Sequence, residues 1–228
     1  MQIGVSCSVT TSIQDPRRWP TSGPLSVYAI GDSNVAAYNV SGTPLDPILN
    51  YITSAYTKVT AAVPSQTIAQ QHSTWLGLMN AAPGTVKWAV IQVGLNDLDP
   101  AEPSAAPALA RLQDLVDEVQ FDAGPNGPVL ISQLTPCRAR LISLFGATQG
   151  AVAYQKWLDM NQGIAGLGSN PIINVDGRVT AHVPLLDDGN GNLAKGYDVG
   201  DGIHTTNAAR SINAQAWVDA LVALGVTV

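Results

Sequence analysis

The chain is short of charge, of cysteine and of any long apolar run. Only 12% of its 228 residues are charged while 46% are hydrophobic, and the charged share is about half the usual one. That excludes a disordered chain and a salt-laced helical surface. Basic residues are the scarcer kind: 11 Lys and Arg face 17 Asp and Glu, for a net charge of −6. Nucleic acid and anionic membrane surfaces reward clustered Lys and Arg, so neither is an expected partner. No apolar run approaches the roughly 20 residues that span a bilayer. The first residues, Met1 to Ser6, offer neither a basic segment nor an uninterrupted apolar one, so no signal peptide is expected. A mature secreted form would read the same way, and the compartment stays open. Two cysteines, Cys7 and Cys137, fit neither a metal site nor a dense disulfide framework; whether they pair is also left open.

What is present is alternation. Apolar runs at Leu25–Ile30, Val59–Val63, Val86–Val93, Pro128–Leu134 and Pro171–Val175 read as strands of a buried parallel sheet. Longer amphipathic stretches at Leu45–Tyr56, Ser65–Asn80, Ala106–Phe121, Thr148–Leu167 and Thr206–Leu224 read as helices. Five strands and five helices in this order predict one α/β domain over residues 25–228, a three-layer α/β/α sandwich. Two segments break the pattern. Ile3, Val5, Cys7, Val9 and Ile13 fall on odd positions, which predicts an extra amphipathic strand in an N-terminal arm, residues 1–24. Gly177 to Ile203 is a long insertion rich in Gly, Asp and Asn, and loops of that length are often functional.

The first strand stops at Gly31-Asp32-Ser33-Asn34. A serine between a strand and a helix is either a helix cap or a nucleophile, and the tripeptide alone does not decide. Partners elsewhere do. The third strand ends in Gly94-Leu95-Asn96-Asp97, and chemistry gathers at the carboxyl ends of parallel strands. Just before the last helix comes Asp201-Gly202-Ile203-His204. A spacing of three in a turn lets a carboxylate and an imidazole face the same way, so that Asp201 can hold the ring that deprotonates Ser33.

These three stretches, in this order, resemble blocks I, III and V of the GDSL, or SGNH, hydrolases. The resemblance implies a flavodoxin-like five-stranded sheet in the order 2-1-3-4-5 and ester hydrolysis through an acyl-enzyme, with no metal or cofactor. It implies Ser33 as nucleophile, His204 as general base and then acid, and Asp201 as the orienting carboxylate. Asn96 and the backbone N–H of Ser33 would form the oxyanion hole. Asp32, Gly94 and Asp97, in the same blocks, are read as supporting residues. Two positions depart from the pattern. Asn34 stands where Leu is common, at a position that tolerates variation. Block II normally offers a Gly, but this chain reads Val63-Pro64-Ser65-Gln66-Thr67; Ser65 aligns with that Gly and its N–H is the third expected donor, although Gly permits backbone angles that Ser resists.

Other candidates carry blander readings. His72 reads as a helix-surface residue, and His182 as a loop residue that could line the cleft. Asp187-Asp188-Gly189-Asn190-Gly191-Asn192 lacks the Gly sixth and Glu twelfth from Asp188 that a calcium loop needs, and reads as a Gly-Asn turn. Arg138 and Arg140 either greet an anionic group or lie on a solvated loop. The leading expectation is a serine esterase acting on short-chain or carbohydrate-borne O-acetyl esters. A thioesterase, lysophospholipase or acyltransferase would use the same residues, and an inactive binding module on the same fold is the rival from another class.

The arm is expected to fold back on its own domain or to pair with the same strand of a second copy. Deleting residues 1–14 should lower the melting temperature or the solution mass and leave the rate per folded molecule intact. Selective loss of activity from a folded truncation would place the arm in the site.

Overall fold

The computed structural model describes residues 25–36, 56–102, 104–124, 127–167 and 186–223. The apolar runs become a parallel sheet of β1 (Ser26–Gly31), β2 (Thr57–Thr60), β3 (Val86–Gln92) and β4 (Val129–Ile131) in the order β2-β1-β3-β4. Three of the described strands are buried: every residue of β1 and of β4, and all of β3 apart from half-buried Lys87. At one edge, β2 reads Thr-Lys-Val-Thr and is largely exposed, a composition that discourages further strand pairing.

Helices cover both faces. They are α1 (Ile68–Ala81), α2 (Ala106–Ala123), α3 (Arg138–Leu167) and α4 (Asn207–Ala223). Side chains alternate along a strand, so β1 sends Tyr28 and Ile30 to one side and Val27 and Ala29 to the other. On the first side they meet Trp75 and Met79 of α1, Leu112 and Val116 of α2, and Trp157 and Met160 of α3. On the second they meet Ala214, Trp217, Val218 and Leu221 of α4. The three-layer α/β/α arrangement follows from this division.

Several expectations need correction. The described sheet has four strands, not five in the order 2-1-3-4-5; the segment read as the fifth strand, 171–175, lies outside the described residues, as do the N-terminal arm and almost all of the first expected helix. β2 lies two residues earlier than its apolar run, because an exposed edge strand is set by backbone pairing with Ser26–Ala29 rather than by burial. The fourth expected helix, Thr148–Leu167, is the stretch of α3 that follows a kink at Gly146, whose φ of 76° and ψ of 169° no helix continues through. The helical stretch from Arg138 up to that kink lies outside the expected helices.

The close approach of β1 to β3 depends on Gly31. A Cβ there would lie within hard contact of both Gln92 O and Val35 Cγ2. Gly31→Ala should therefore destabilise the protein by about 1–3 kcal/mol, the usual cost of overpacking. An unchanged midpoint in urea denaturation would show that the strand end relaxes freely.

Candidate active site

Beyond Gly31 the chain turns at once, and the Ala36 N–H reaches back to Asp32 O at 2.9 Å. The capping side chain of this turn is Asp32, whose Oδ1 accepts the Asn34 N–H at 3.1 Å. Ser33 is thereby released from capping. Its Oγ lies 3.0 Å from His204 Nε2, and His204 Nδ1 lies 2.5 Å from Asp201 Oδ2. Serine, histidine and aspartate form one hydrogen-bonded row.

The row is held by a small hairpin. Asp198 and Thr205 bridge in antiparallel fashion, with Val199 N–H on His204 O at 3.1 Å and Thr206 N–H on Tyr197 O at 2.9 Å. At its tip Asp198 Oδ1 accepts the N–H groups of Gly200, Asp201 and Gly202. Gly200 and Gly202 have φ of 110° and 77°, angles that a side chain resists. Asp201 Oδ1 in turn accepts the N–H groups of Ile203 and His204. Partial burial pushes the Asp201 carboxyl up, but the bonds from the His204 ring and from these N–H groups outweigh it and hold the acid below its ordinary range. Asp201 is thus kept ionised beside the imidazole. Sequence reasoning missed Asp198, although an Asp two and four residues ahead of glycines is the composition of such a turn.

Asn96 reaches the backbone of the residue after Ser65. Asn96 sits on the short 3₁₀ turn Leu95–Asp97 after β3, is exposed, and donates from Nδ2 to Gln66 O at 2.9 Å. Ser65, next to Gln66, has a φ of 64° and is the one described non-glycine residue with positive φ. Ser65, expected to stand for the block II glycine, thus adopts a left-handed backbone that favours glycine, at a cost of order 1 kcal/mol or more. Among the described residues, the side-chain bond of Asn96 runs to Gln66 and not to Ser33 or Asp201.

The supporting residues lie beneath. Asp97 Oδ2 accepts the Ile68 N–H at the start of α1 at 2.9 Å, and Oδ1 accepts from Arg111 Nη2 at 3.2 Å. Burial raises its pKa, against the Ile68 N–H and Arg111. Arg111 and the fully buried Lys156 converge on Glu102. Gly94 takes a φ of 137° with its α-carbon side against Met160 and Leu134. Of the other candidates, His72 is a half-buried residue of α1, outside the row. His182 lies outside the described residues. Arg138 donates to Asn190 O and lies over the Tyr154 ring, while Arg140 packs against Gly202. Asp187 and Asp188 turn their carboxylates onto the N–H groups of residues 189–192, the Gly-Asn turn expected. Cys137 is a buried free thiol, and Cys7 lies outside the described residues. Among the described residues no helix is long and apolar enough to cross a membrane.

No family model matches the sequence, and no curated protein matches it. Solved structures do match. A GDSL-like lipase from Bacteroides thetaiotaomicron has a TM-score of 0.62 at 16% identity, covering 87% of this chain and 88% of its own. A member of the lipolytic G-D-S-L family from Veillonella parvula has a TM-score of 0.61 at 11% identity, with coverage of 86% and 97%. TesA has a TM-score of 0.62 at 16% identity, with coverage of 87% and 99%. The chain has the GDSL-type hydrolase fold.

Asp32 makes the site sensitive to pH. Full burial raises its pKa from 3.8 to about 6, against the N–H groups of Asn34, Leu95 and Gly94 and the neighbouring His204. A carboxyl that ionises less readily when folded favours the fold below the unfolded value, and that contribution is lost as pH climbs through the folded one. The gap between 3.8 and about 6 corresponds to about 3 kcal/mol. Between about pH 4 and pH 7 the wild type should lose up to about 3 kcal/mol relative to Asp32→Asn. Urea denaturation of both proteins at the two pH values measures it.

Proposed function

We propose that the protein is a serine hydrolase that cleaves a carboxylic ester through an acyl-enzyme. The observation that carries this reading is the row Ser33 Oγ–His204–Asp201, with contacts of 3.0 Å and 2.5 Å. A free serine hydroxyl is a weak nucleophile. An imidazole in hydrogen-bond reach, oriented by an ionised carboxylate, makes it a competent one. As Ser33 Oγ attacks the ester carbonyl, His204 Nε2 takes its proton and Asp201 stabilises the imidazolium. Negative charge gathers on the former carbonyl oxygen, where Asn96 Nδ2 and the N–H groups of Ser33 and Ser65 are the proposed donors. Each such donor is worth on the order of 3 kcal/mol in the transition state. His204 then gives its proton to the departing alcohol. A water, deprotonated by the same ring, releases the acid and restores Ser33. The GDSL-like lipase and lipolytic proteins that share the fold support the reaction class.

Within that class we assign short-chain or carbohydrate O-acetyl esters as substrate. A panel of p-nitrophenyl esters from acetate to palmitate, followed by acetylated polysaccharides, tests the assignment; the shortest chains should turn over fastest. Ser33→Ala should fold normally and lose on the order of 10⁶ in kcat, together with covalent labelling by a fluorophosphonate. Labelling that persists at another serine would overturn the assignment of the nucleophile.

A further inference from the structure

Asn34 follows the nucleophile and is almost fully buried, at 3% exposure. Its side-chain amide is used completely. Nδ2 donates to Ile203 O at 3.0 Å and to Thr135 Oγ1 at 3.3 Å. Oδ1 accepts the Thr205 N–H at 3.0 Å and Thr205 Oγ1 at 3.2 Å. The Ile203 carbonyl belongs to the peptide group that enters His204, and the Thr205 N–H to the one that leaves it. One amide therefore grips both peptide planes flanking His204. Its own N–H is tied to Asp32 Oδ1, so the grip is anchored at the turn that presents Ser33.

We infer that Asn34 is a positioning residue, which sets the alignment of the His204 ring on Ser33 Oγ; the inference rests on the serine-hydrolase reading. Only asparagine meets the demand. It supplies two donors and an acceptor from a short neutral side chain. Aspartate would turn a charge onto the Ile203 carbonyl, leucine makes none of these bonds, and glutamine is one methylene too long for a buried site. The position is therefore not one that tolerates variation in this chain. Proton transfer depends on heavy-atom distance and direction, and misplacement of a reacting group by about 1 Å can cost about 100-fold.

The test uses Asn34→Ala and the isosteric Asn34→Asp, each alone and combined with His204→Ala. For Asn34→Ala we expect kcat on p-nitrophenyl acetate to fall about 100-fold with KM nearly unchanged, and no further loss in the His204→Ala background. The downfield proton resonance of the His204 Nδ1–H on Asp201, a readout independent of turnover, should broaden or vanish while near-UV circular dichroism is kept. Should the alanine variant not fold, Asn34→Asp, which keeps the bonds from Thr205, is read in the same way. An equal loss of rate in the His204→Ala background would overturn the inference, as would an unchanged kcat and resonance. If the wild type cleaves no ester, the hydrolase reading fails, and the resonance alone decides: its loss in the variant supports positioning and its persistence refutes it.

Discussion

The register of β1 against β3 is the constraint on which the site depends. Gly31 stands opposite Gln92 at the carboxyl ends of two buried parallel strands. Ser33 and Gly94 each follow two residues later, so the two turns begin at one level of the sheet. Had the pairing slipped by one residue, the core faces of β1 would have exchanged and both turns would have lost their common level. Val27, Tyr28, Ala29 and Ile30 forbid the slip, because each is packed on its own face between helices. A hydrophobic pattern thus fixes the position of a polar row.

The polar groups below the site act as ties more than as sources of stability. Asp97 joins the turn after β3 to the first N–H of α1 and to Arg111 of α2. Arg111 and Lys156 hold Glu102 from two different helices, and their hydrogen bonds draw its pKa down to about 2. Burying Lys156 costs desolvation that a single partner offsets only in part, and such pairs contribute geometry more dependably than net free energy. Here the geometry gained is the placement of the 3₁₀ turn that carries Asn96.

The apolar strands β1, β3 and β4 were legible in the sequence because each is a local run. Ser33, Asp201 and His204 stood out because each carries a local mark: Gly-Asp-Ser at the end of one run, and an Asp three residues ahead of a His. What was not legible is long-range or conformational. The bonds of Asn34 link residues 169 and 171 positions apart, and nothing near Asn34 announces them. Ser65 conceals its left-handed backbone behind a side chain that ordinarily avoids it. β2 was displaced because the apolar run Val59–Val63 does not set the limits of an exposed edge strand. The helical stretch before Gly146 was missed because Leu141 is its one buried residue, too little to mark a core face.

The hairpin Tyr197–Thr206 is fastened along its returning strand, at Ile203 and Thr205, to a residue outside itself. In engineering terms it is not a portable cassette. Grafting it onto another scaffold of this fold would transfer Asp201 and His204 without the clasp that orients them, unless the residue after the recipient's serine were changed to asparagine as well. The unit of design, and of coupled substitution over evolutionary time, is a hairpin together with one distant side chain.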